Sequence, residues 1–216
     1  WIVFGKAFPV PVEERSMQVI SRVLSVLRSK NTLLIAAADV GPFALVTVCL
    51  AWLPTFYHQE YGMSLVKAGN LMGIMSTAGM VALVMASILS LRLSKRRPFL
   101  IAPGILIAFA GLGTFLTGDG IGLYVSLVAL GFASWFYVPI LVTIPMELYP
   151  DDPRRVSLTF ASLMSIGGLA NFAAVPIAGA VFDFTGSLVP GLVGFAVMSC
   201  SLAIGGLLLP ETGTPR

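Results

Sequence analysis

Of the chain's 216 residues only 23 carry a charge, 13 Lys and Arg against 10 Asp and Glu, so 11% are charged where an ordinary soluble domain has about 25%. Apolar residues make up 57%, and the mean hydropathy is +0.94. A soluble fold of this size cannot hide so much apolar surface, which excludes a soluble enzyme, a nucleic-acid binder and a disordered tail and leaves a protein whose solvent is largely lipid.

The chain opens on Trp1 rather than Met, as a piece of something longer would, and Trp1–Phe4 is a short apolar stub that fits the end of an earlier span. Residues 1–32 read as a cytoplasmic linker. Within it, Val12–Lys30 puts Met17, Ile20, Val23, Leu24 and Leu27 on one helical face, with Arg15, Arg22, Arg28 and Lys30 largely elsewhere. That pattern suits an amphipathic helix lying on the membrane surface; a solvated linker is the alternative.

Beyond residue 32 the gaps between charges set the architecture. A helix needs about 20 apolar residues to cross a hydrocarbon core. The windows predict spans at about 33–57, 68–91, 98–118, 120–146, 156–182 and 184–210, the last five free of charge, followed by a cytoplasmic tail at 211–216. Backbone groups in lipid must be satisfied internally, so these are helices, and the alternation of a membrane β-barrel is absent. The expected fold is an all-α membrane protein, a 33–210 bundle of six transmembrane helices.

Asp39 is the one acid well inside a span. It either binds a proton or forms part of a gate, because a carboxylate at mid-membrane costs about 2.5–3.5 kcal/mol on insertion scales, or it marks a wet boundary where span one begins later. Gly41-Pro42 follows and predicts a bend. Trp52 reads as ordinary packing or as an interfacial anchor like Tyr57. In span two, Gly69 and Gly73 form a small-residue stripe for close helix approach, and Asn70 is read as structural. Arg92, Lys95, Arg96 and Arg97 make a basic loop. In span four, Trp135 and Tyr137 stand in an aromatic run that ordinary packing would also explain, with Tyr124 and Ser134 in the same span. Glu147 closes that span facing Arg92, Arg96, Arg97, Arg154 and Arg155; it forms either a cytoplasmic gate or a solvated acid beside topology-fixing charges. Asp152-Pro153 reads as an N-cap and first-turn proline opening span five. Asn171, a mid-membrane amide, wants a partner on another helix or on a ligand, and Ala170, Ala174 and Ala178 form a second small-residue stripe.

Six spans put both termini on one side, and that side collects 12 of the 13 Lys and Arg, leaving Lys67 opposite. The bias places both termini in the cytoplasm of a multi-pass plasma-membrane protein. Chemistry is not expected: the only histidine, His58, sits at a span end, and no His/Cys/Asp cluster offers metal ligands. There is no phosphate-binding loop, and Cys49 and Cys200 fall in apolar runs and read as small buried hydrophobes. No catalytic residue, cofactor or metal is assigned, and nucleic acid is not a partner.

The halves of the bundle resemble each other. Leu71-Met72-Gly73-Ile74 matches Leu163-Met164-Ser165-Ile166, Pro103-Gly104 matches Pro190-Gly191, and Trp52…Pro54 matches Trp135…Pro139. Three spans per copy make the second copy upside down relative to the first, an arrangement common in secondary transporters.

The loop Leu91-Arg92-Leu93-Ser94-Lys95-Arg96-Arg97-Pro98, the run Met146-Glu147-Leu148-Tyr149-Pro150 with Arg154-Arg155, the turn Asp183-Phe184-Thr185-Gly186-Ser187 and the closing Pro210-Glu211-Thr212-Gly213 resemble the C-terminal six-helix half of a major facilitator superfamily transporter, of the cyanate-permease-like and organic-anion branches. Where the family's usual basic signature has Asp and Gly, this loop has Leu91 and Ser94. The resemblance implies secondary transport of a small solute, organic or inorganic anion, by alternating access against a companion half, either an N-terminal six-helix half outside this chain or a second copy. It also implies that spans one and four line the cavity, which makes Trp52, Trp135 and Tyr137 substrate-cavity candidates beside Asp39 and Asn171, and it admits a coupling proton. A non-transporting six-helix sensor or assembly subunit, or a self-pairing half-transporter, are the other readings.

Overall fold

The computed structural model describes residues 25–91 and 95–212. Most of the Val12–Lys30 segment, Arg92 of the basic loop and the last four residues of the tail lie outside the described residues. Every regular element among the described residues is helical. Six helical segments are long and apolar enough to cross a membrane: span one, Lys30–Tyr61; span two, Leu65–Ser90; span three, Pro98–Leu116; span four, Ile121–Leu148; span five, Pro153–Thr185; and span six, Val189–Leu208. Spans four and six are each interrupted once, the former into Ile121–Phe136 and Val138–Leu148, the latter into Val189–Met198 and Ser201–Leu208.

Local chemistry sets the helix ends. Ser29, Ser64 and Asp152 are N-caps whose side-chain oxygens accept from the backbone N–H groups of Thr32, Lys67 and Arg155, satisfying donors that the first turn leaves free. Pro153 follows Asp152 at the first helical position. Span one closes at Gly62 and span five at Gly186, both left-handed at φ 61° and 70°, a conformation that glycine enters without a Cβ penalty.

Span one is the most enclosed of the six. It packs chiefly against spans five and six, while span four packs chiefly against spans two and three, and spans three and six pack against each other. Exchanging spans one, two and three for four, five and six maps this pattern onto itself, so the two three-helix repeats are structural as well as sequential. Spans one and four stand at the middle of one broad face with two and five at its flanks, and three and six form the opposite side.

Small residues let the helices meet at backbone distance. A Cβ on Gly131 would run into the backbone of Met75, one on Gly41 into Met198, and one on Gly104 into Ala203. The alanine stripe of span five is used in this way: Ala174 and Ala178 are buried, and Gly191 of span six faces the Ala178 backbone. The expected stripe in span two is not. Gly69 and Gly73 have open space around them, because span two turns Gly79 and Met75 to span four and leaves the Gly69–Gly73 side outward.

Prolines inside the spans free carbonyls that other groups then satisfy. Pro42 has no N–H to give Ala38, and the Ser201 hydroxyl of span six donates to the Ala38 carbonyl at 3.2 Å at the break in that span. The bend expected at Gly41-Pro42 is therefore a docking point between spans one and six. Tyr57, expected as an interfacial anchor, is instead fully buried; its hydroxyl donates to the Thr114 carbonyl at 2.8 Å, tying span one to the last turn of span three.

Candidate functional site

Asp39 lies nine residues into span one, about 13 Å from Lys30 at about 1.5 Å per residue, and is only 6% exposed. Protein rather than open solvent covers it. Its Oδ1 accepts a 2.8 Å hydrogen bond from the hydroxyl of Tyr137, a fully buried residue at the break in span four. Pro139 sits two residues past the break and lacks the N–H that would continue the helix. The other carboxylate oxygen, Oδ2, faces Gly167 of span five, where a Cβ would lie 3.5 Å away. A buried acid thus joins the central helices of both repeats, and a glycine on span five makes room for it.

One turn beyond Gly167 on the same face of span five is Asn171, whose Oδ1 is buried without a hydrogen-bond partner among the described residues. Such an orphaned acceptor in a water-poor environment is a cost unless a ligand or another helix supplies a donor. The two other aromatic candidates diverge. Trp52 turns to span five: its Nε1 donates to the Val175 carbonyl at 3.3 Å, and its ring lies 6.3 Å from that of Phe182. Trp135 turns to span two, its ring against Gly79. Of the five cavity candidates, Asp39 and Tyr137 are bonded, Asn171 is a helical turn from their neighbour Gly167, and the two tryptophans belong to different helix pairs.

Between spans one, two and four lies a cleft of about 200 Å³ lined by Val46, Leu50, Met75, Met80, Ser134 and Trp135 among others. Val46 and Leu50 continue the helical stripe that begins at Asp39, and Ser134 is three residues before Tyr137, so the cleft adjoins the buried pair.

A second cluster sits at the end holding the basic loop. Arg96 is 7% exposed. Its Nε donates to Glu147 Oε1 at 3.0 Å, its Nη2 pairs with the same carboxylate, and its Nη1 donates to the Ser90 carbonyl at 2.7 Å. The Arg96 backbone N–H bonds to Glu211, Thr212 Oγ1 donates to Glu147 Oε2 at 2.7 Å, and Arg97 Nε donates to the Leu209 carbonyl at 2.8 Å. The end of span two, the basic loop, the end of span four and the segment after span six are thereby tied together. Arg154 is exposed at the head of span five, apart from this network, and Arg155 stacks on the Tyr149 ring at 4.0 Å. Glu211 and Thr212 were the parts that sequence reasoning missed. Their signal was an acid and a hydroxyl directly after an apolar span, on the side rich in arginine.

The sequence model of the Major Facilitator Superfamily matches residues 3–162. Comparison with curated proteins gave no match.

Proposed function

The chain belongs to the Major Facilitator Superfamily, a family of multi-pass membrane transporters, and we propose that it is the C-terminal six-helix half of a secondary transporter, of the cyanate-permease-like or organic-anion kind, that carries a small anion by alternating access. The observation that carries this reading is the Tyr137–Asp39 hydrogen bond. A carboxyl group buried in a membrane bundle is costly, and this one joins the central helices of the two repeats on the face where a companion bundle would meet them. A proton taken up and released at Asp39 would change the charge on the acceptor of the Tyr137 bond, and with the strength of that bond the relation of span one to span four. The solute's own charge would be met by the companion, since no Lys or Arg lies inside the apolar stretches of these spans.

The companion is a second six-helix bundle, the N-terminal half of the same transporter or another copy of this one. Support comes from the flanking helices of the broad face. Span two exposes Met80, Val84, Met85 and Ile88, and span five exposes Leu169, Phe172 and Ile177, while only 17% of the most apolar stretch of span five is buried within this bundle. The Arg96–Glu147 cluster would serve as the gate at the cytoplasmic end, in a plasma-membrane protein with both termini in the cytoplasm, as the distribution of Lys and Arg favours.

The test is uptake in vesicles or cells holding the complete transporter, measured across pH for wild type and Asp39→Asn. The expected result is pH-dependent uptake that becomes flat with pH in the variant. Unchanged rate and pH dependence would remove Asp39 from coupling.

A further inference from the structure

Asp39 has one carboxylate oxygen in use and one to spare. Oδ1 accepts from Tyr137, the single hydrogen bond that the carboxylate makes among the described residues. Oδ2 lies 3.5 Å from where a Cβ on Gly167 would stand, and apart from the chain neighbours of Gly167 no other side chain comes within 4 Å of that point. Asn171 has the complementary lack. It sits one turn further along span five, and its covered Oδ1 receives no donor. Because that oxygen is covered, its missing donor has to come from within the protein and not from open solvent. Side chains on a helix lean toward the helix N-terminus and lie over the preceding turn. The turn that Asn171 leans over is that of Gly167, which has no side chain of its own to fill the place.

Few groups can donate there. The apolar stretches of spans two to six hold no Asp, Glu, Lys, Arg or His. Lys30 and Arg155, the nearest charges on spans one and five, stand about 13 and 18 Å away along their helices. Tyr137 of span four already gives its hydrogen to Asp39. Span six brings the Cys200 thiol to this depth, beside Ser201, whose hydroxyl donates to the Ala38 carbonyl. An ionised Asp39 has no hydrogen to give. A protonated one has a single O–H, and with Oδ1 engaged by Tyr137 that hydrogen sits on Oδ2.

We propose that Asn171 is a positioning residue for the coupling acid: when Asp39 takes up its proton, the new O–H on Oδ2 donates to Asn171 Oδ1 across the gap left by Gly167 and ties span one to span five. When the proton leaves, that tie is lost and the amide oxygen is orphaned again. This rests on the coupling role given to Asp39 above, and it names the helix on which protonation acts. The two bonds of Asp39 respond in opposite directions. Ionisation strengthens the Tyr137 bond, because the acceptor becomes charged; protonation weakens it and creates the Asn171 bond. One proton thus shifts the attachment of span one from span four toward span five. That is a differential interaction, which is what moves a conformational equilibrium.

The experiment is an infrared pH titration of the complete transporter in lipid vesicles, following the protonated-carboxyl band that Asp39→Asn removes. Protonation is then read at Asp39 itself, whether or not solute moves. Asn171→Leu, close in size but without the acceptor, should move the midpoint toward acid by about 0.5 to 1 pH unit, the worth of one interhelical hydrogen bond. Asn171→Ala should move it the same way and decides the matter where the leucine variant does not fold. Asn171→Gln, which keeps the carbonyl, should move it less than either. Thermal unfolding in detergent supplies a second readout. The Asn171→Leu protein should unfold earlier than wild type at pH values below the wild-type midpoint and no earlier above it, where wild type leaves its amide oxygen unpaired. A residue that merely packs would shift both limbs alike and leave the midpoint in place. Equal destabilisation on both limbs, a midpoint that stays, a midpoint that moves toward alkali because the amide had been donating to the carboxylate, or the absence of any titrating Asp39 band overturns the assignment. Uptake separates this from the parent reading. A midpoint that depends on Asn171 in a protein that moves no solute sinks transport and keeps the Asp39–Asn171 bond; pH-dependent uptake with a midpoint indifferent to Asn171 does the reverse.

Discussion

Asp39 and Tyr137 are separated by 98 residues and joined by one hydrogen bond of 2.8 Å. Each is conspicuous in the sequence alone, the acid because spans seldom hold one and the tyrosine because it sits in an aromatic run before a proline. Their partnership is not legible there. It depends on how far span one slides along span four, which is fixed by close backbone packing at glycines and not by either residue. Asn171 and Ser134 were visible as polar residues in apolar helices, but only the structure tells a hydroxyl that closes on its own helix from one that does not. The two members of the pair make separable predictions. Tyr137→Phe keeps the ring and removes the donor; interhelical hydrogen bonds in membranes are worth about 0.6 kcal/mol on average and up to about 1.7. It is expected to lower the thermal transition in detergent by a few degrees and to slow uptake while leaving uptake dependent on pH. Asp39→Asn can still accept from Tyr137, so its stability should change little while the pH dependence disappears. Thermal unfolding and uptake measured on both variants check this, and identical pH profiles for the two would contradict it.

Helix number, order and the inverted repeat were readable from the charge gaps and the paired motifs, since lipid leaves a polypeptide few choices. Which small residues carry the packing was not, because periodicity alone does not say toward which neighbour a stripe turns. Gly69 and Gly73 have the spacing of a packing stripe and face open space, whereas Gly41 and Gly131 stand alone in the sequence and sit against backbone. Adding one methyl group to a filled contact costs about 1–3 kcal/mol when side chains can yield, and backbone atoms yield less. Gly131→Ala and Gly41→Ala are therefore expected to lose at least about 2 kcal/mol each and to express poorly as folded protein. Measured on this six-helix chain without a companion bundle, Gly168→Ala and Gly73→Ala, which meet nothing within the bundle, should match wild type or exceed it slightly, since alanine favours helix over glycine by about 1 kcal/mol. Size-exclusion profiles and thermal unfolding in detergent distinguish the two classes; equal behaviour across the four would mean that the close approaches at Met75 and Met198 are not features of the folded bundle. Ser201→Ala is the matching test for the span one to span six contact, because it leaves the Ala38 carbonyl beside Pro42 without its donor. Its expected cost is about 1 kcal/mol.

Across the whole bundle, the two repeats meet differently at the two ends. The end opposite the basic loop is joined by an exposed ion pair, Lys67 to Asp119 at 2.6 Å, of a kind that solvent and salt screen. The basic end is joined by an arginine that is almost completely covered and an acid that bonds to two partners from distant segments. Such a cluster resists partial loss: removing one member of a buried pair leaves the other charge uncompensated, at about 3–5 kcal/mol, less here because the Glu147 side chain is 24% exposed. Arg96→Ala should consequently lower the thermal transition by roughly 5–10 °C, at about 2–4 °C per kcal/mol for a chain of this size, whereas Lys67→Ala should shift it by no more than about 2 °C on the same scale. Stability alone does not make the cluster a gate. A gate must differ in energy between two arrangements of the transporter, because only a differential interaction shifts a conformational equilibrium. The charge swap separates the two roles. Arg96→Glu and Glu147→Arg individually should move cysteine accessibility in the complete transporter toward the state open at the basic end, and the double swap should restore the wild-type distribution in part. It will not do so fully, since Ser90 and Thr212 are placed for the original charges: the Ser90 carbonyl accepts from arginine and the Thr212 hydroxyl donates to a carboxylate. If each single reversal lowers the thermal transition yet leaves the accessibility distribution where wild type has it, the cluster holds spans two and four to the segment after span six in every state and gates nothing.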